Sequence, residues 1–340
     1  MGDLTAALRD LDAVLALDPY HFLALLSKGA LLEQRGLARR AAAVYKDALT
    51  IAPKDDQLPQ SLAGPVARAR AAVAEHSRAL REHLEERLRP LRRQYVAENL
   101  ERFDEAVDIM AGTTRAYVQQ PVMLHYPRLP AIPFYDRALF PWLTRLEAQT
   151  ATIREELLGV LDAAEDDLVP YVAYPPGTPV NQWGELNHSR RWSSYFLWRD
   201  GIRQESACAR CPKTAALLDE LPLARQEGFA PTAMYSVLAP RTVIPPHTGS
   251  INTRLIVHLP LILPSGCRFR VGNVTREWRL GEAWVFDDTI EHEARNDSDE
   301  RRVILIFDVW NPFLSEAERE LLTVMLQAKN EYFALDAPLQ

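Results

Sequence analysis

Cysteine is nearly absent from this chain of 340 residues, which has only three, and so small and odd a number excludes a disulfide framework. Cys208 and Cys211 form a C-x-x-C, but a zinc site needs a second pair and Cys267 lies far away in sequence. They read as unpaired thiols rather than a redox or metal centre. Excess positive charge is also lacking: 39 Lys and Arg stand against 46 Asp and Glu, a net charge of -7 that offers nucleic acid no basic footprint. Long apolar runs are missing as well, since no stretch reaches about 18 uncharged apolar residues. The opening Met-Gly-Asp-Leu-Thr-Ala-Ala-Leu-Arg-Asp has no basic segment followed by an apolar one. The expectation is a soluble, cytoplasmic protein with no membrane and no nucleic-acid partner.

The length favours two domains, and the texture divides accordingly. Ala-Leu-Asp-Pro at 16–19 is echoed by Thr-Ile-Ala-Pro at 50–53, placing Pro19 and Pro53 34 residues apart. Between them Gly29, Ala41, Tyr45, Ala48 and Pro53 fall where a helix-turn-helix repeat needs a small residue for close crossing, an aromatic wedge and a terminating proline. The region resembles a tetratricopeptide array of about one and a half units. Such stacks present binding grooves, which suggests a protein partner, although a plain helical hairpin fits the same residues. Residues 62–110 continue helically with balanced charge, and Pro90 is expected to kink or divide them. Prolines between 120 and 133 mark a linker or initial strand, giving domains of 1–118 and 119–340. A helix is expected over about 139–163, with loops through 207.

Beyond 230 the runs 235–238, 254–263, 267–271, 283–287 and 303–310 are short, β-branched and aromatic, and broken by Pro, Gly and Asn. They predict an antiparallel double-sheet jelly roll of the cupin type. A helix over 314–333, with Ser315 and Glu318 as a capping box, closes the chain. The fold class is therefore α+β: an all-α tetratricopeptide-like region followed by a double-stranded β-helix.

The chemistry-bearing residues gather between 234 and 312. His247 is read in a turn before a strand and His292 just after one, 45 residues later. On a jelly roll such imidazoles can meet at the barrel mouth, where two neutral nitrogens suit Fe(II) or another borderline cation. Arg254, His258 and Arg302 sit on strands that otherwise read as buried, and a buried arginine demands an anion. For Arg302 that anion is either a dicarboxylate ligand or an internal partner such as Asp287 or Asp308.

The segments Pro-His-Thr-Gly, Arg-Leu-x-x-His-Leu, Phe-Asp-Asp-x-x-x-His-Glu and Asp-Val-Trp-x-Pro, in this order, resemble the aspartyl/asparaginyl β-hydroxylase family of Fe(II)- and 2-oxoglutarate-dependent oxygenases. The likeness covers roughly 122–315 and is densest over 234–312. It implies that His247 and His292 hold iron, that Ser236 and Arg302 hold the distal carboxylate of 2-oxoglutarate, and that His258 lies near its other carboxylate. It further implies that Arg254 also helps to bind the co-substrate, and that Trp192, Trp198 and Arg254 line the substrate side. Gly249 stands where most such enzymes carry a third, carboxylate ligand, a lack the family shares. Asp287 and Asp288 are candidates to hydrogen-bond the His292 ring or a metal-bound water, or to cap the turn between strands.

The family commonly has a second arginine two positions beyond Arg254, and here that residue is Ile256. Cys208 matches half of a family cysteine pair, but Ala215 stands at the partner position, so no disulfide is expected. The expected activity is O2-dependent hydroxylation of a C–H bond, preferably the β-carbon of Asp or Asn in a peptide or protein, with release of succinate and CO2. The alternatives are the same chemistry on a free amino acid, small molecule or lipid, a non-catalytic repeat protein, and a cupin using another metal.

Overall fold

The computed structural model describes residues 4–226 and 228–334, in two compact units, Met1–Ala116 and Tyr117–Gln340.

The first unit is helical: α1 (Leu4–Leu17), α2 (Phe22–Gln34), α3 (Ala38–Thr50), α4 (Gln60–Arg92) and α5 (Glu101–Ala111). Gly29 of α2 is there because nothing larger fits. A Cβ at that position would lie 2.3 Å from the Tyr45 ring of α3, so the aromatic wedge closes directly onto helix backbone. The Tyr45 hydroxyl donates to Glu33 at 2.9 Å, and Glu33 also takes two bonds from Arg68 at 3.1 and 2.9 Å, tying α2, α3 and α4 together. These contacts are consistent with the tetratricopeptide resemblance. Pro90 does not divide the helix as expected: α4 runs on to Arg92, and the break falls at 93–100. Pro90 lacks the N–H that would bond the carbonyl four residues back, and only two residues of helix follow it.

Among the described residues, the second unit has four helices on one side of its sheets and one at its end. In order they are α6 (Leu143–Ala148), α7 (Thr150–Ala163), β1 (Val169–Pro170), β2 (Trp192–Arg199), β3 (Ile202–Arg203), α8 (Glu205–Arg210) and α9 (Pro212–Glu220). Then follow β4 (Ala233–Leu238), β5 (Thr242–His247), β6 (Arg254–Ile262), β7 (Cys267–Val271), β8 (Val274–Glu277), β9 (Trp284–Phe286), β10 (His292–Asn296), β11 (Arg302–Trp310) and α10 (Glu316–Ala334). The single helix expected over 139–163 is two, parted at Gln149, where Thr150 Oγ1 donates back to the Glu147 carbonyl at 2.6 Å. The expected capping box of α10 forms in both directions between Ser315 and Glu318.

All strands pair antiparallel. One sheet runs β1-β2-β4-β11-β6-β9 with β3 on β2, and the other β5-β10-β7-β8, together the two sheets of a jelly roll. Strand parity then sorts the side chains. On β11, Val303, Leu305, Phe307 and Val309 pack in the core shared with α6, α7 and α9. Ile304 packs between the sheets, and Arg302, Ile306 and Asp308 line a cavity on the same face. The segment from 117 to 135 is no free linker. It runs along the second unit, with Val122 N bonded to Gly249 O at 2.9 Å and Tyr135 N to Val285 O at 2.9 Å.

Of the strands that lie in stretches read as loops or turns, β5, β10 and β2 each have a physical reason. β5 contains Pro245 and Pro246, tolerable because it is the edge of its sheet. β10 alternates correctly, but its inward positions include His292 and Asn296, so no apolar period announces it. β2 lies within residues assigned to loops; its register is interrupted by a bulge between Phe196 and Trp198.

Candidate functional site

His247 is the last residue of β5 and His292 the first of β10, not loop residues outside strands, and the two are direct cross-strand partners. That pairing spans their separation in sequence and sets the ring centroids 4.0 Å apart. Each Nδ1 lies within hydrogen-bond distance of the carbonyl two residues back, His247 to Pro245 at 2.8 Å and His292 to Ile290 at 3.1 Å. A carbonyl only accepts, so each Nδ1 carries the proton and each Nε2 keeps a free lone pair. Burial pushes His247 down to about 4 and His292 well below its ordinary value, so both rings are neutral at physiological pH. Two neutral imidazoles with backbone-fixed tautomers form a donor set that suits a borderline divalent cation.

Gly249 belongs to the same centre. A Cβ there would lie 1.9 Å from Asp288 Oδ2, so the carboxyl of Asp288 fills the space a side chain at 249 would need. Asp288 lines the cavity, and burial together with the neighbouring Asp287 pushes its pKa up to about 8. Asp287 has the other role open to the pair. It accepts from the backbone and hydroxyl of Thr289 at 3.0 and 2.5 Å and from Gln119 at 2.5 Å, capping the turn before β10. Gln119 in turn accepts from Asn252 at 3.0 Å, so these two residues tie the Asp287 turn to the loop after His247. Gln119 and Asn252 escaped the sequence reading because neither carries a motif and their partners are remote in sequence.

Gly249→Ala is expected to cost about 1–3 kcal/mol of stability by overpacking against Asp288. The double variant Gly249→Ala/Asp288→Ala should recover most of it, as read by chemical denaturation in a double-mutant cycle. Equal losses in both would contradict the close approach.

Deeper in the cavity, of about 450 Å³, the charges are unmatched. Arg302 is 1% exposed, and its Nε and Nη2 have no hydrogen-bond partner. Neither Asp287 nor Asp308 pairs with it. Its guanidinium lies 5.2 Å from the centre of the Trp278 ring, and burial pulls its pKa down to about 10. His258 is buried beside it with Nδ1 unpartnered, held well below its ordinary pKa by burial and by Arg302. Ser236, also buried, accepts from Trp192 Nε1 at 3.1 Å, which leaves its hydroxyl hydrogen free to donate. Unpaired buried charge is unfavourable by several kcal/mol, so this end of the cavity is built for an anion.

Two expected assignments change. Trp198 does not line the cavity: it packs in the core against the helices. The β2 bulge makes it the partner of Ala233, whose side faces that core, whereas Trp192 and Ser194 before the bulge keep the inward parity of Leu238 and Ser236. Arg254, expected near both co-substrate and substrate, lies at the opposite end from Arg302 and is paired with Asp308 at 2.8 Å. Cys208, Cys211 and Cys267 are free and buried.

A jelly roll carrying two inward imidazoles and, below them, a buried guanidinium with no partner at Nε or Nη2 offers donors that suit a cation and a place that suits an anion. Residues 147–312 match the family described as "Aspartyl/Asparaginyl beta-hydroxylase", and the chain belongs to that family through this unit. It is 37% identical over 179 residues to the human aspartyl/asparaginyl beta-hydroxylase, covering 52% of this chain and 22% of that protein. It is 35% identical over 197 residues to the ornithine lipid ester-linked acyl 2-hydroxylase of Rhizobium tropici, covering 57% and 66%. It is 32% identical over 212 residues to aspartate beta-hydroxylase domain-containing protein 2 of Xenopus tropicalis, covering 61% and 55%. The chain thus spans about a fifth of the length of the human relative.

Proposed function

We propose that this protein is an Fe(II)- and 2-oxoglutarate-dependent oxygenase that hydroxylates an unactivated C–H bond. Iron with 2-oxoglutarate and O2 supplies the oxidising chemistry, the co-substrate leaving as succinate and CO2. His247 and His292 would hold the metal through their Nε2 atoms, with Asp288 beside them to bond a water ligand. Arg302 and Ser236 would take the distal carboxylate of 2-oxoglutarate, and His258 its other carboxylate. The observation that carries this reading is Arg302, a buried cation that no described residue neutralises. A keto-diacid supplies both a metal chelate and the missing anion.

The relatives divide in the substrates their names give, peptidyl Asp or Asn for the human protein and a lipid acyl chain for the Rhizobium one. Here Ile256 stands where a second arginine is common, and Arg254 is engaged by Asp308, which supports a substrate other than a carboxylate-bearing residue. The test is succinate release from 2-oxoglutarate by the purified chain, with and without Fe(II), in the presence of peptide and lipid pools. Turnover that survives omission of 2-oxoglutarate would instead indicate a cupin of different chemistry.

A further inference from the structure

The cavity changes character along its strands. Arg302 lies at one end of β11; passing along that strand, Ser236 is level with Ile304, His258 and Met234 with Ile306, and Ile256 with Asp308, with Arg254 one pair beyond. At about 3.3 Å per residue, Asp308 is about 20 Å along β11 from Arg302, so the anion-binding end and the far end are separate places.

At the far end the guanidinium is already used. Arg254 Nη1 donates to Asp308 Oδ2 at 2.8 Å and to the Phe229 carbonyl at 3.1 Å, and Asp308 also accepts from Thr232 N at 2.9 Å. Arg254 keeps an unpartnered Nε–H beside its Nη2, but its charge is already balanced by Asp308. Asp200 adds a second acid to this end. It sits at the tip of the β2–β3 hairpin with φ 51°, followed by Gly201 at φ 83°, the left-handed pair of a tight two-residue turn. Gly201 is pinned by its N–H to Pro231 O at 3.0 Å, and a Cβ there would lie 2.8 Å from Ala230 O. Among the described residues Asp200 pairs with Arg199, at 3.8 Å, and both side chains are more than half open to solvent, so that pair is weak. Between the two ends Ile306 and Met234 line the wall, and Ile256, Phe229 and Met123 extend the apolar lining of the cavity.

We propose that the substrate side takes an aliphatic chain whose far end carries a cation, an ammonium or guanidinium, and that it selects against a carboxylate there. This rests on the hydroxylase reading and names its substrate class. A carboxylate would meet Asp200 beside a guanidinium whose charge Asp308 already balances, whereas a methylene chain is matched by the wall and a cation by the added acid at its end.

The test is anaerobic calorimetry on the full chain loaded with Fe(II) and 2-oxoglutarate, titrated with hexylamine, hexanoate and hexanol, which differ only at the terminus. Hexylamine is expected to bind about tenfold more tightly than hexanoate. Ile256→Arg, which restores a guanidinium, should reverse that order. Asp200→Asn, compatible with the turn because asparagine tolerates positive φ, should bring hexylamine down toward hexanol. Hexanoate binding as tightly as hexylamine, neither binding, or an order untouched by both variants would overturn the proposal. If 2-oxoglutarate binds and hexanoate wins, only this inference falls. If 2-oxoglutarate fails to bind, the oxygenase reading falls, and the same three probes on the unloaded protein still decide the charge preference. The pentapeptide Ala-Ala-Lys-Ala-Ala and monomeric dodecylamine then separate a lysyl side chain from an amine-headed amphiphile, and tighter binding of either supports the shared chemistry.

Discussion

Arg302→Ala is expected to weaken 2-oxoglutarate binding by about 10²- to 10³-fold, the scale of removing one partner from a buried charge pair. Arg302→Lys should recover only part, because an ammonium is a point charge without the bidentate fork. The unusual corollary concerns stability. The guanidinium is buried without an acceptor for Nε and Nη2, so in the ligand-free protein it opposes folding. Arg302→Met, similar in length and apolar, is therefore expected to stabilise the ligand-free chain by about 1–4 kcal/mol while abolishing co-substrate binding. Denaturation without ligand and calorimetry with it read the two effects separately. A destabilised Arg302→Met protein that still bound 2-oxoglutarate would mean that the arginine is structural.

His292→Ala is expected to lower iron affinity by more than about 100-fold and activity with it, since loss of residues outside the ligand set already costs about 10–100-fold. The expectation follows from the shortage of ligands: among the described residues no group of three or more His, Cys, Asp or Glu side chains is placed to hold a metal, so each imidazole carries half of the protein's share. His258→Ala is the contrast. Its ring lies 5.0 Å from Phe269 and 4.7 Å from Phe286, among aromatics beside Arg302. That variant should keep the metal and lose affinity for 2-oxoglutarate. Equal loss of metal in both variants, measured by anaerobic Fe(II) titration, would contradict the division of roles.

How much of this was legible in the sequence depended on whether a residue announces its environment locally. Arg302 did, because a cation opening the run Val-Ile-Leu-Ile-Phe must go inside with that run or be paired, and only the second half of the choice needed coordinates. Gly29 and Tyr45 did too, falling where a helix-turn-helix repeat needs a small residue and an aromatic wedge. The two histidines were legible as a pair but not as strand partners, since β5 carries two prolines and β10 reads as charged. Trp198 was misplaced because one bulged residue reverses the parity of everything after it. Gln119 was invisible: its bond to Asp287 spans 168 residues, and no local pattern reports such a bond.

The central claim is that the imidazole pair and the buried guanidinium serve one site. It is tested most directly by anaerobic titration of 2-oxoglutarate into the chain with and without Fe(II). The account predicts one 2-oxoglutarate per chain and metal-dependent tightening of about 5- to 150-fold, the usual range for coupled ligands. Binding that is indifferent to the metal, or absent with it, would contradict the account.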